Sequence, residues 1–130
     1  MNPLSEYEIQ ALNRAIDEER MAKALHEGIM ITLGHISPFD WIAKEEQMHI
    51  DWVARLMKKY NLEIPPDRWA GKIIKEPASE HEARTIGARA EFENAGIFDM
   101  MIPKIEHTDI IATFNRLRSI SREKHLPALQ

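Results

Sequence analysis

Between Ile42 and Tyr60 an apolar helical repeat is interrupted at its centre by two side chains of the metal-ligand type. Steps of four and three give Ile42, Glu46, His49, Val53, Leu56 and Tyr60, a stripe that faces a core when the segment is helical. Glu46 and His49 stand where that repeat calls for Leu or Ile. Burying a carboxylate is costly unless something pairs with it, and a metal ion is one such partner. At about 100° per residue, positions three apart project in nearly the same direction one turn apart, so both side chains reach one point from one helix. A Glu-x-x-His is common on exposed helices; its place on a core stripe gives this one meaning.

The rest of the chain supplies helices to pack against that stripe. Its 130 residues fit one domain, spanning 1–130, and include only 5 Gly and 7% aromatics, a balance that favours helices over a β-sandwich or barrel. Ser5-x-x-Glu8 and Ser79-x-x-Glu82 are capping boxes that open the first and third helices. Ser37-Pro38 reads as a cap residue followed by Pro at the first helical position of the second. Thr108-Asp109 opens the fourth, and Pro127 ends it. Helices are expected over about 5–33, 38–61, 79–101 and 108–126. No segment alternates with the period of two that a sheet requires.

The connections set the topology. Short links after Gly34 and around Pro103 make two antiparallel helix hairpins. Between them run roughly 17 residues containing Pro65, Pro66, Gly71 and Pro77, longer than a compact domain needs for a turn. A helix of about 24 residues is about 36 Å long, and an extended segment at about 3.3 Å per residue covers that distance. The segment can therefore carry the chain from one end of the bundle to the other between helices two and three, with Trp69 expected to pack onto the bundle. A linker joining two small domains fares worse, because neither two-helix half would bury much core alone. Two hairpins joined by one long crossover are the ferritin-like four-helix arrangement.

Such bundles take further ligands from the other helices. Glu19 falls on the Ile9, Leu12, Ile16 stripe of helix one, while Glu18 points about 100° away, towards solvent. On helix three, Glu91 continues Ala88, Ala95 and Phe98, and Glu93 continues Ile86, Ala90 and Ile97; periodicity does not choose between them. On helix four, His125 follows Leu117 and Ser121 inward, but Arg122 stands where a second Glu-x-x-His needs its acid. His26, two turns beyond Glu19, reads as a structural histidine or a support for a ligand. His35, His81 and His107 lie at helix ends or in loops and receive no function.

Asp17-Glu18-Glu19-Arg20-Met21-Ala22 and Ile42-Ala43-Lys44-Glu45-Glu46-Gln47-Met48-His49 resemble the first two helices of ferritin-like di-iron proteins of the rubrerythrin kind. The likeness is closer to a prokaryotic family of uncharacterised ferritin-like domains. That family's Gly-Ala-x-x-Glu is matched by Gly87-Ala88-Arg89-Ala90-Glu91, and its Ser-Arg-x-His-Leu is resembled, with one extra residue, by Ser121-Arg122-Glu123-Lys124-His125-Leu126. The resemblance implies Glu19, Glu46, His49, Glu91 and His125 as metal ligands and favours Glu91 over Glu93. It implies iron, one ion or two, with manganese as the alternative, and oxidation of Fe(II) by O2 or peroxide with an electron donor the sequence does not name. The competing reading is a non-catalytic bundle with a decayed or single-metal site, whose polar stripe fixes helix register. Oligomeric iron storage ranks lower, since no fifth helix is evident.

Charge and composition remove other classes. A net charge of −4 argues against nucleic acid, and Arg116, Arg118, Arg122 and Lys124 read as a solvated helix face. Without cysteine there is no thiolate metal site or thiol chemistry. The start, Met1 to Glu6, lacks a basic and an apolar targeting region, and no apolar run approaches about 18 residues, so a cytoplasmic protein is expected. An exposed apolar helix face is compatible with a homodimer.

Overall fold

The computed structural model describes residues 3–130. Its main helices are α1 (Glu6–Leu33), α2 (Phe39–Lys59), α3 (Glu80–Met101) and α4 (Thr108–Ile120). α4 runs on through one π-helical turn, Ser121–His125, into a last short helix, α5 (Leu126–Leu129). The described residues contain no strand.

The start signals act with two differences from expectation. Ser5 forms the full capping box with Glu8, whereas at α3 only the Ser79 side chain is seen to accept the Glu82 N–H. At α2 the Ser37 side chain caps nothing; Pro38 is itself the cap residue, and the helix begins one residue later, at Phe39. α1 stops at Gly34, whose φ of 94° is a conformation glycine adopts without strain.

Pro127 does not end the last helix, which continues to Leu129. In the π turn the Leu126 N–H bonds back five residues, to the Ser121 carbonyl. The widened ladder lies just before a residue that has no N–H to give, and Pro127 sits in the first turn of α5, where its missing donor costs little.

The core has an apolar cluster at each end. One contains Leu12 and Ile16 of α1, Val53 and Met57 of α2, Phe98 of α3, and Ile110, Phe114 and Leu117 of α4. Phe98 and Phe114 meet edge to face there, with ring centroids 5.1 Å apart. The other contains Leu25 and Ile29 of α1, Phe39 and Ile42 of α2, Ala83 of α3, and Leu129. Along α1 and α4 the numbers rise from the first cluster to the second; along α2 and α3 they rise from the second to the first. The order is up-down-down-up, so α2 and α3 are parallel and the chain must cross the bundle's length between them.

That crossover is strapped to α1. Arg20 Nη1 donates to the Pro65 carbonyl at 2.7 Å. Asp17 accepts from Arg68 at both oxygens at 2.8 Å and from Trp69 Nε1 at 2.9 Å, the expected docking of Trp69. No helix among the described residues is long and apolar enough to cross a membrane.

At the opposite end Glu8 joins two chain segments. Its Oε1 accepts the Ser5 N–H at 2.9 Å; its Oε2 accepts the Glu106 and His107 N–H groups at 2.9 and 3.0 Å and meets His107 Nδ1 at 2.8 Å. His107, given no role from sequence, is thus part of the lock between α1 and α4. Burial alone would raise the Glu8 carboxyl, but these amide and ring donors outweigh it and hold it at about 2. A carboxyl depressed in the folded state stabilises above its unfolded value near 4.5, and that stability is lost as pH falls towards 2. Glu8→Gln is therefore expected to cost about 2 kcal/mol at neutral pH. Urea unfolding across pH should show the gap to wild type closing between those two pH values; a constant gap would contradict the assignment.

Candidate metal centre

Between the two apolar clusters lies a polar layer to which every main helix contributes. α1 supplies Glu19 and His26, α2 Glu46 and His49, α3 Glu91 and Asn94, and the α4 extension Ser121 and His125. All are buried, and the six acids and histidines are at most 1% exposed. Each helix reads apolar, polar, apolar along its inner face, so the layer is flanked above and below by buried apolar side chains.

Glu46 occupies the centre. Its Oε2 lies 3.4 Å from His49 Nδ1, which is 3.5 Å from Glu19 Oε2. Its Oε1 lies 3.2 Å from His125 Nδ1, which is 3.4 Å from Glu91 Oε1; that oxygen is 3.2 Å from His26 Nε2. The two oxygens of one carboxylate therefore face two different groups. Glu19, Glu46 and His49 form one set able to hold a metal ion, and His26, Glu46 and Glu91 form another. The His49 and His125 rings stack between them at 5.7 Å.

Most of these approaches are short but misaligned for hydrogen bonding. Nine buried side-chain nitrogen and oxygen atoms have no hydrogen-bond partner: both oxygens of Glu19 and of Glu46, both ring nitrogens of His49, Glu91 Oε2, His26 Nδ1 and His125 Nδ1. Among the described residues every such atom belongs to this layer. A polar network serving only as structure would have its donors and acceptors satisfied, because each orphan costs about 1–3 kcal/mol. Ligand atoms about 2.1 Å from a common ion, at right or tetrahedral angles, lie about 3.0–3.4 Å from each other. The observed separations between neighbouring ligand atoms, 3.2–3.5 Å, lie in or just above the upper part of that range.

The ionisation of the layer shows the same need for positive charge. Burial, together with the neighbouring Glu46, pushes Glu19 well above the usual carboxylate range. Burial and the Glu91 charge lift Glu46 to about 7. Glu91 is lowered to about 2, since its contacts to His125 and His26 outweigh burial. His125 rises to about 10, because Glu46 and Glu91 overcome the burial that would discharge it. Protons supply the positive charge here, and a cation competes with them for the same atoms.

Two local devices aim His125. The π turn widens the helix by one residue over this segment, keeping Ser121 and His125 inside while Arg122 stays exposed and pairs with Asp99. His125 Nε2 lies 2.8 Å from Glu45 Oε1, and Lys124 binds the other Glu45 oxygen. With Nε2–H donated to Glu45, Nδ1 is the ring atom turned towards Glu46 and Glu91. Glu45 lies off the stripe that carries Glu46 and His49, and its bond to His125 depends on how α2 and α4 pack.

The structure brings together Glu19, Glu46, His49, Glu91 and His125, all five of the residues singled out from sequence. It separates Glu91 from Glu93, which is exposed and pairs with Arg89. Glu18, expected to face solvent, is half-buried and lies 3.9 Å from Arg14. The fourth helix offers no carboxylate: Ser121, one turn before His125, donates to Asn94 Oδ1 at 3.0 Å. His26 joins the layer as a full member. The signal for it was its spacing of seven from Glu19, which continues the inner face of α1.

These features define a four-helix bundle with a buried carboxylate–histidine layer able to hold a metal ion. The chain belongs to the uncharacterised protein domain family DUF2202, which it matches over residues 8–129. It is similar to the crystal structure of a hypothetical protein from Methanococcus jannaschii DSM 2661, with 26% identity and a TM-score of 0.89 over 99% of this chain and 81% of that one. No curated protein matches it.

The layer also implies a balance between stability and ligand capacity. Replacing a buried ionisable group by an apolar one of similar size is often neutral or stabilising by about 1–4 kcal/mol. Glu19, with both oxygens unpaired, is the position where this should be clearest. Chelator-treated Glu19→Leu is expected to resist urea at least as well as chelator-treated wild type. A clear loss of stability would mean that Glu19 is a structural group.

Proposed function

We propose that the layer is the metal centre of a ferritin-like protein, binding iron and coupling oxidation of Fe(II) to reduction of O2 or peroxide. The observation that carries the reading is that nine buried nitrogen and oxygen atoms of this one layer lack a hydrogen-bond partner, with His49 Nδ1 and His125 Nδ1 at 3.4 and 3.2 Å from the two Glu46 oxygens. Carboxylate and imidazole donors suit iron, or manganese as the alternative, better than metals that prefer sulfur. Up-down-down-up topology with one long crossover supports the ferritin-like assignment.

Glu19, Glu46, His49, Glu91 and His125 are the ligands in this reading. Bound iron would supply one-electron chemistry towards O2 or peroxide. The chain's own contribution is to hold the ligands rigidly and keep the layer dry. Glu45 orients the His125 ring and connects it, through Lys124, to the surface, where protons can be exchanged. A solely structural role for the layer is less well supported, since it leaves the unpaired atoms without an explanation.

The test is elemental analysis of protein purified without chelator, followed by Fe(II) oxidation measured with O2 and with peroxide. Wild type is expected to carry iron or manganese and to oxidise Fe(II) well above the uncatalysed rate. Glu46→Ala with His49→Ala should lose the metal, the activity and any metal-dependent gain in stability. A folded, metal-free wild type that ignores added Fe(II) would sink the proposal.

A further inference from the structure

We infer that His26 is a metal ligand and that the centre takes two ions, with His26 supplying the donor that α4 lacks. The inference rests on the metal-centre reading above and specifies how that centre is completed.

Glu46 turns one oxygen to each of two donor sets. On the Oε2 side stand Glu19 and His49. On the Oε1 side stand His125 Nδ1, Glu91 Oε1 and His26 Nε2, with successive separations of 3.2, 3.4 and 3.2 Å. Without His26 the second position has two donors besides the shared Glu46. With it there are three, and the layer as a whole offers six ligating residues.

Arg122 cannot contribute, being exposed and paired with Asp99, and Ser121 is bonded to Asn94. The backbone around His26 leaves room for its ring beside the site. A Cβ on Gly87 would come within 3.4 Å of His26 Cε1 and within 3.1 and 3.2 Å of the Leu129 methyls. The tight approaches are to Leu129, while α3 at Gly87 meets the His26 ring at ordinary contact distance, and Phe39 packs near it at 6.0 Å between centroids. His26 is fully buried, with Nε2 directed at Glu91. A His–Glu hydrogen bond alone would account for that contact, but not for the converging His125 Nδ1 or the unpaired Glu91 Oε2.

The experiment is anaerobic titration of chelator-stripped protein with Fe(II), counting ions retained per chain by elemental analysis after gel filtration. Wild type is expected to retain two ions, His26→Gln one, and His26→Glu, which restores a ligating side chain, two. Circular dichroism establishes that each variant is folded; if His26→Gln is not, His26→Phe, an aromatic ring with no donor atom, takes its place with one ion expected and two overturning the role of His26. Two ions in a folded His26→Gln protein would overturn the role of His26, as would loss of the second ion in a folded His26→Glu protein. One ion in wild type would overturn the two-ion inference and leave the metal-centre reading standing. No ion in wild type would overturn both.

Discussion

Three carboxylates and three imidazoles share one buried layer, and the remainder of the bundle can be understood as the structure that forces them together. No single helix could keep such groups buried, because each would turn its acid to water. The layer persists because every helix is apolar on both sides of its polar residues. Leu12, Ile16 and Phe114 close it at one end; Ile29, Phe39 and Leu129 close it at the other. Burying each such side chain contributes about 1.5–3 kcal/mol, enough in sum to hold costly groups inside. Glu46 is the hinge of the arrangement, since its two oxygens face the two donor sets.

The ends of the bundle fix the register that this meeting requires. Glu8 ties the start of α1 to the turn before α4, while Asp17 and Arg20 tie α1 to the crossover. One turn of slip along any helix would move a ligand by about 5.4 Å, well beyond the separations in the layer. Asp99, binding Arg118 and Arg122 on the outside, belongs to the same fixing of α3 against α4. The basic cluster noticed in the sequence is spent on such contacts, with Arg116 lying over the Trp52 ring.

Much of this was legible because helical periodicity reports directly on the inner face. Glu19, Glu46 and His49 could be placed on stripes, Glu91 was favoured over Glu93 by the family resemblance alone, and the length of the 62–78 segment allowed a crossover. Periodicity failed where the helix departs from its regular period or where a partner comes from another helix. The π turn at Ser121–His125 is such a departure. It turns an apparent one-residue misfit into an inward His125, and it accompanies a helix that passes Pro127. Glu45 lies off the stripe of α2 and acquires meaning only from His125. His26 was placed on the right face, but its distance from Glu91 depends on how α1 and α3 pack.

The central claim is that the Glu46 layer is a place for metal ions. Anomalous X-ray scattering at the iron edge, from crystals of protein loaded with Fe(II), tests it most directly. The account predicts two peaks flanking the Glu46 carboxylate, one beside Glu19 and His49 and the other beside His26, Glu91 and His125. Iron confined to surface carboxylates, with no anomalous peak in the layer, would contradict it.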